Sequence, residues 1–287
     1  MTFEIIGQAI INGVSIGFVY SIVALGLTLI WGTMKIVNFA HGDFLMMGMY
    51  ATFWIFTLIG IDPILSLPIL IPVFFGVGLL YYRVVLRAIL KQQILTQILA
   101  TFGIGIILQS LALFFWKADY RIINGNILGG NFRFAGIFIG IPQFVTSIFC
   151  IIVIVLLFYF LNRTKTGLAI RATTLNKEAA ALVGINIENI YYLVVGIGIA
   201  LVGLAGSLLS NYYYIFPQVG GSFATFAYVV IVLGGLGSVQ GAFVGGLLLG
   251  IVTSLAGVFF NPAFKYIAVF LTYLVVVVIK PEGLGGK

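Results

Sequence analysis

Three places in this sequence hold residues able to do chemistry. The first is Asn38-Phe39-Ala40-His41-Gly42-Asp43, which gathers the single histidine, an aspartate and an asparagine beside a long apolar run. One histidine and one nearby carboxylate make neither a metal site nor a proton relay. At the centre of an apolar layer an ionisable group costs roughly 2.5 to 3.5 kcal/mol, so such groups line a cavity or sit at the end of a span. Gly42 eases a helix break, and Asp43 is placed to cap the helix that follows. Two readings stand: Asn38, His41 and Asp43 line a pathway or gate, or the motif is a helix cap at an interface just after Lys35.

The second place is NRTKTGLAIRATTLNKEAAALVGINIEN, the most polar part of the chain, with Arg163, Lys165, Arg171, Lys177, Glu178 and Glu188. Asn176 suits an N-cap, Glu178 lies at the positive end of the dipole, the Ala-rich run favours helix, and Gly184 suits the left-handed C′ position. A short helix with an Ala-rich face fits a groove on a soluble partner. An ordinary basic loop holding a local helix accounts for these residues equally well.

Third are the glycines. Gly237, Gly241 and Gly245 are spaced by four, as are Gly246 and Gly250, and Gly13 and Gly17. Small residues at i and i+4 let helices approach closely in lipid. Internal packing is the expected use of most of them, with contact to a second subunit as the alternative for the stripe from 237 to 250. The lone Cys150, in IFCIIVIVLLFYF, reads as a small buried hydrophobe. Tyr212, Tyr213, Tyr214 and Phe216 read as an interfacial aromatic belt, with a docking surface as the alternative.

What must position these residues follows from composition. Of 287 residues, 62% are hydrophobic and 7% charged, where water-soluble proteins carry roughly 25% charge. The solvent for most of the surface is lipid, which excludes a soluble enzyme, a nucleic-acid-binding domain and a secreted disulfide scaffold. The net charge of +7 is explained by basic residues at one face of a membrane. MTFEIIGQAII has no Lys or Arg before its apolar stretch, so it reads as a retained first span rather than a secretory signal.

A helix crossing the hydrocarbon needs about 20 apolar residues. Runs of that kind lie near 5–33, 36–61, 64–82, 94–116, 138–161 and 190–210. The stretch 222–260 is interrupted by GGLGSVQG and reads as a shorter segment followed by a full one, and a last span covers about 264–279. The expectation is an all-α polytopic membrane protein of eight or nine helices in one domain, 1–287, with its main polar loop at about 162–189. Strand alternation of the barrel type is absent. With the N-terminus outside, Lys35, Arg83, Arg87, Lys91, Arg163, Lys165, Arg171, Lys177, Lys280 and Lys287 fall in the cytoplasm. Lys117, Arg121, Arg133 and Lys265 fall outside. That margin favours nine spans and a cytoplasmic C-terminus.

Against this background Glu178-Ala179-Ala180-x-x-x-Gly184 resembles the EAA loop of ABC importer permeases. GLTLIWGTMKIVNFAHGDFLMMGMY resembles the second-span signature of branched-chain amino acid permeases of the LivH type. VLGGLGSVQGAFVGGLLLG and the ending KPEGLGGK resemble the C-terminal segment of the same family. The resemblance implies an ABC importer permease moving branched-chain or related amino acids across the cytoplasmic (inner) membrane of a bacterium or archaeon. It also implies partners: a LivM-type permease, two ATP-binding subunits and a periplasmic or extracellular substrate-binding protein. The coupling loop would comprise Arg171, Glu178, Ala179, Ala180 and Gly184. No G-x-x-x-x-G-K-[ST] loop is present, so ATP and magnesium are expected on the partners, with no cofactor on this chain and no enzymatic role for it. The alternatives are a permease for urea or short amides, or a stand-alone secondary transporter. The latter would need coupling-ion carboxylates in the spans, and apart from Asp43 these are scarce.

Overall fold

A computed structural model describes residues 3–125, 129–134, 136–260 and 264–285. Gly286 and Lys287, the end of the tail, lie outside them. Helix α1 (Phe3–Met34) leads into a non-helical segment and α2 (His41–Ile59). Next, α3 (Leu67–Tyr81) continues through one π turn (Tyr82–Leu86) and α4 (Arg87–Ile89) as a single rod. Then come α5 (Ile94–Trp116), the hairpin β1 (Asn131–Phe134) and β2 (Ile137–Gly140), and α6 (Ile141–Arg163). The polar loop folds as α7 (Lys165–Leu175) and α8 (Lys177–Leu182). The chain ends with α9 (Ile187–Leu209), α10 (Val219–Gly234), α11 (Val239–Phe259) and α12 (Lys265–Ile279).

Among the described residues seven rods are long and apolar enough to cross a membrane. Two further apolar helices, α10 and α12, are shorter, with 16 and 15 residues. At 1.5 Å per residue α10 is about 24 Å long, less than the ~30 Å hydrocarbon core. The expected interruption of 222–260 falls at 235–238, where Gly235 and Gly237 take positive φ (91° and 86°). The tail returns to this break: Leu284 and Gly285 donate their amides to the carbonyls of Leu233 and Gly234 at 2.7 and 2.9 Å, satisfying the end of α10.

The boundaries correct the reading from hydropathy in three places. The second span begins at His41 rather than 36, because Lys35 turns left-handed (φ 57°) and the chain stays non-helical through Asn38 before a turn at Phe39 and Ala40. The third extends past residue 82 to Ile89 through the π turn. The fifth begins at Ile141, because residues 137–140 pair with 131–134 as an antiparallel hairpin. Gln8 of α1 holds that hairpin, its side-chain amide exchanging two hydrogen bonds with the Phe138 backbone at 2.7 and 2.8 Å.

Helices α1 and α9 form the centre, with about four-fifths of their apolar windows buried, whereas α5 is the least buried long helix. Lipid gives helices no hydrophobic reason to associate, so contact depends on close backbone approach at small residues. Helix α9 supplies these on several sides. A Cβ at Gly198 would sit 2.9 Å from the Gly26 carbonyl of α1, and one at Gly206 would collide with the Leu45 carbonyl of α2. Gly78 of α3 lies against Gly196.

Candidate functional site

The non-helical segment after α1 turns back into the helix layer. The His41 Nε2–H donates to the Val23 carbonyl at 3.0 Å. Val23 lies eleven residues before Met34, the end of α1, so α2 starts about 16 Å up that helix. His41 is fully buried, its ring lying against Gly26, where a Cβ would come within 3.3 Å of the ring. The motif is therefore buried within the helix bundle rather than on its surface. Nor does Asp43 cap α2: the N-cap is Ala40, no side chain caps the first turn, and Asp43 points away to α5.

Each polar side chain of the motif is held by a different helix. Asn38 is fully buried; its Oδ1 accepts from the Tyr81 hydroxyl at 2.8 Å and its backbone carbonyl from the Tyr228 hydroxyl at 2.6 Å. Its Nδ2, like His41 Nδ1, has no partner among the described residues. The Phe39 amide donates to Thr101 Oγ1 at 3.2 Å. Asp43, 4% exposed, accepts from Gln109 Nε2 at 2.8 Å through Oδ1. The close approach of Gly42 and Gly220, where a Cβ on either would strike the other's backbone, brings the start of α10 to the same place. Together Phe39, Asp43, Phe102, Gly105, Ile106, Gln109, Gly220, Gly221, Ala224, Thr225 and Tyr228 line a partly open cavity of about 230 Å³.

Tyr81, Thr101, Gln109 and Tyr228 did not emerge from the sequence reading, although α5 carried a signal for two of them. Gln97, Thr101, Gly105 and Gln109 recur every four residues in a mostly apolar helix, and the first three are buried. In lipid the polar stripe of a helix faces the protein, so this spacing marks the inner face of α5.

The polar loop forms a compact unit. Asn176 Oδ1 accepts from the amides of Glu178 and Ala179, both at 3.0 Å. Gly184, at φ 87°, ends α8: its amide bonds the Ala181 carbonyl and that of Ile185 bonds Ala180, the paired arrangement of a Schellman cap. Arg171 Nη1 donates to Asn162 Oδ1 at 2.7 Å, tying α7 to the end of α6. Ala180 is buried, while Glu178 and Ala179 are exposed. Leu175, Leu182 and Val183 stand 87%, 89% and 77% exposed around α8, an apolar edge on a charged segment. Arg87 pairs with Glu188 at 2.9 Å, linking α4 to the start of α9.

The glycine stripe is divided. Gly237 lies in the break before α11 and belongs to no helix. Gly241 and Gly245 face α10, where a Cβ at Gly245 would be 3.1 Å from the Val230 carbonyl, while Gly246 and Gly250 face Ser21, Gly13 and Gly17 of α1. All four pack against this chain's own backbone.

A family model described as branched-chain amino acid transport system, permease component, matches residues 9–279. The high-affinity branched-chain amino acid transport system permease protein LivH of Escherichia coli (strain K12) is 30% identical over 295 residues, covering 98% of this chain and 95% of that protein. BraD of Pseudomonas aeruginosa, of the same description, is 29% identical with the same coverage. A probable branched-chain amino acid transport permease protein LivH of Methanocaldococcus jannaschii is 32% identical over 253 residues, covering 85% of this chain and 78% of that protein. No solved structure matches.

Proposed function

The chain belongs to the family of branched-chain amino acid transport system permease components, and from that premise we propose that it is the membrane-spanning subunit of an ATP-driven importer. It moves branched-chain or related amino acids inward across the cytoplasmic (inner) membrane, with its N-terminus outside and its C-terminus in the cytoplasm. It works with a second, LivM-type permease, two ATP-binding subunits that carry ATP and magnesium, and an external substrate-binding protein. The observation that carries the reading is the family match over nearly the whole chain.

The loop that would receive the force of ATP binding is α7 and α8. Its cap at Asn176, its turn at Gly184 and the exposed Leu175, Leu182 and Val183 give a rigid apolar edge suited to a groove on a soluble subunit. The Arg87–Glu188 pair stands beside it, where the loop enters α9, the most buried long helix. A shift of this loop then reaches α1, α2 and α3 through α9, coupling two bistable parts. Alternating access follows when the helices around the Asp43 cavity reopen on the other side.

Isolation in mild detergent tests this assignment. The chain is expected to co-purify with two ATP-binding subunits and a second permease; recovery of the chain alone under conditions that preserve its fold would contradict it.

A further inference from the structure

We propose that the cavity between α2, α5 and α10 is a stopping point for the substrate amino acid, where Asp43 takes its ammonium group and the first turn of α10 takes its carboxylate. The proposal rests on amino acid import as the chain's function, and names the groups that would recognise the substrate inside the layer.

The first argument is the state of Asp43. Its carboxylate is 4% exposed and Gln109 satisfies one oxygen at 2.8 Å. Oδ2 has no hydrogen-bond partner among the described residues, and the ion pair described there, Arg87–Glu188, lies elsewhere. A buried carboxylate without a cation is costly unless something completes its shell. Gly105 makes room for the carboxylate: a Cβ there would lie 2.5 Å from Oδ2.

The second argument is what stands beside it. Helix α10 begins at the cavity, with Gly220 and Gly221 on its wall and no side chain capping its first turn. The Val219 and Gly221 amides already bond the Phe216 and Gln218 carbonyls, so what this end of α10 offers the cavity is the positive end of the helix dipole, which favours an anionic group. The remaining wall includes Phe39, Phe102 and Ile106, apolar surface for an aliphatic side chain. A zwitterion with an apolar side chain matches all three parts. A hard metal cation does not: it needs six or more oxygens, and no cluster of three His, Cys, Asp or Glu occurs among the described residues.

Asp43→Asn isolates the charge, because the amide oxygen can still accept from Gln109. In proteoliposomes holding the full complex with leucine-loaded binding protein, this variant is expected to lower leucine uptake by roughly tenfold or more, the size of one charge-assisted hydrogen bond. Subunit assembly and binding-protein-stimulated ATP hydrolysis should stay at wild-type levels, and Asp43→Glu should recover part of the uptake. Unchanged uptake in Asp43→Asn overturns the proposal, and so does a parallel loss of uptake, assembly and ATP hydrolysis, which would make Asp43 a structural residue. Failure of the wild-type complex to take up any amino acid would instead defeat the importer assignment beneath it.

Discussion

Asn38, His41 and Asp43 lie within six residues and have three different fates. Two serve to fix the chain: Asn38 receives hydroxyls from α3 and α10, and His41 bonds Val23 of α1. Asp43 alone faces a cavity. The residue types announced a polar break, but not these fates, because each partner lies tens of residues away on another helix. Local geometry was more legible: Asn176 and Gly184 hold the cap and left-handed positions expected from their own side chains and neighbours. A side chain at Gly184 meets nothing within 4 Å, so Gly184→Leu pays only for the left-handed backbone, about 1 to 2 kcal/mol. This variant, and Glu178→Lys at the exposed start of α8, should insert normally yet retain less of the ATP-binding subunits on purification and import more slowly. Normal retention in both would remove α8 from the coupling role.

Among the elements, the apolar rods were legible from hydropathy because lipid demands length and apolarity. Where they stop inside the layer was not. The segment from Lys35 to Ala40 continues an apolar run, and its non-helical path is set by bonds from Tyr81, Tyr228 and Thr101 that no local pattern encodes. The hairpin 131–140 was hidden for a similar reason, since Gln8 at the far end of α1 holds it. Helix α9 provides a test at this scale. Gly206 lies on the α2 backbone and Gly203 on Phe74, whereas Gly257 of α11 has open space around its Cβ position. Gly206→Leu sets a side chain against a backbone that cannot yield, a cost of about 1 to 3 kcal/mol or more. It should lower the yield of folded protein and its melting temperature in detergent, while Gly257→Ala leaves both unchanged. Equal stability of the two variants would refute close approach at α9 as the basis of the bundle.

At the scale of the whole molecule, scarcity of charge has a physical consequence. The chain is 7% charged, and among the described residues the buried charge-bearing side chains are His41, Asp43 and Asp62, a small set for harnessing an ion gradient. In the proposed function energy arrives from a partner, and the exposed apolar edge of α7 and α8 is the contact this chain offers it. Accumulation of labelled leucine in proteoliposomes tests this account most directly. The chain alone should accumulate none under a proton or sodium gradient, and the complex with its ATP-binding subunits, second permease and binding protein should accumulate it only with ATP. Gradient-driven accumulation by the chain alone would contradict the account.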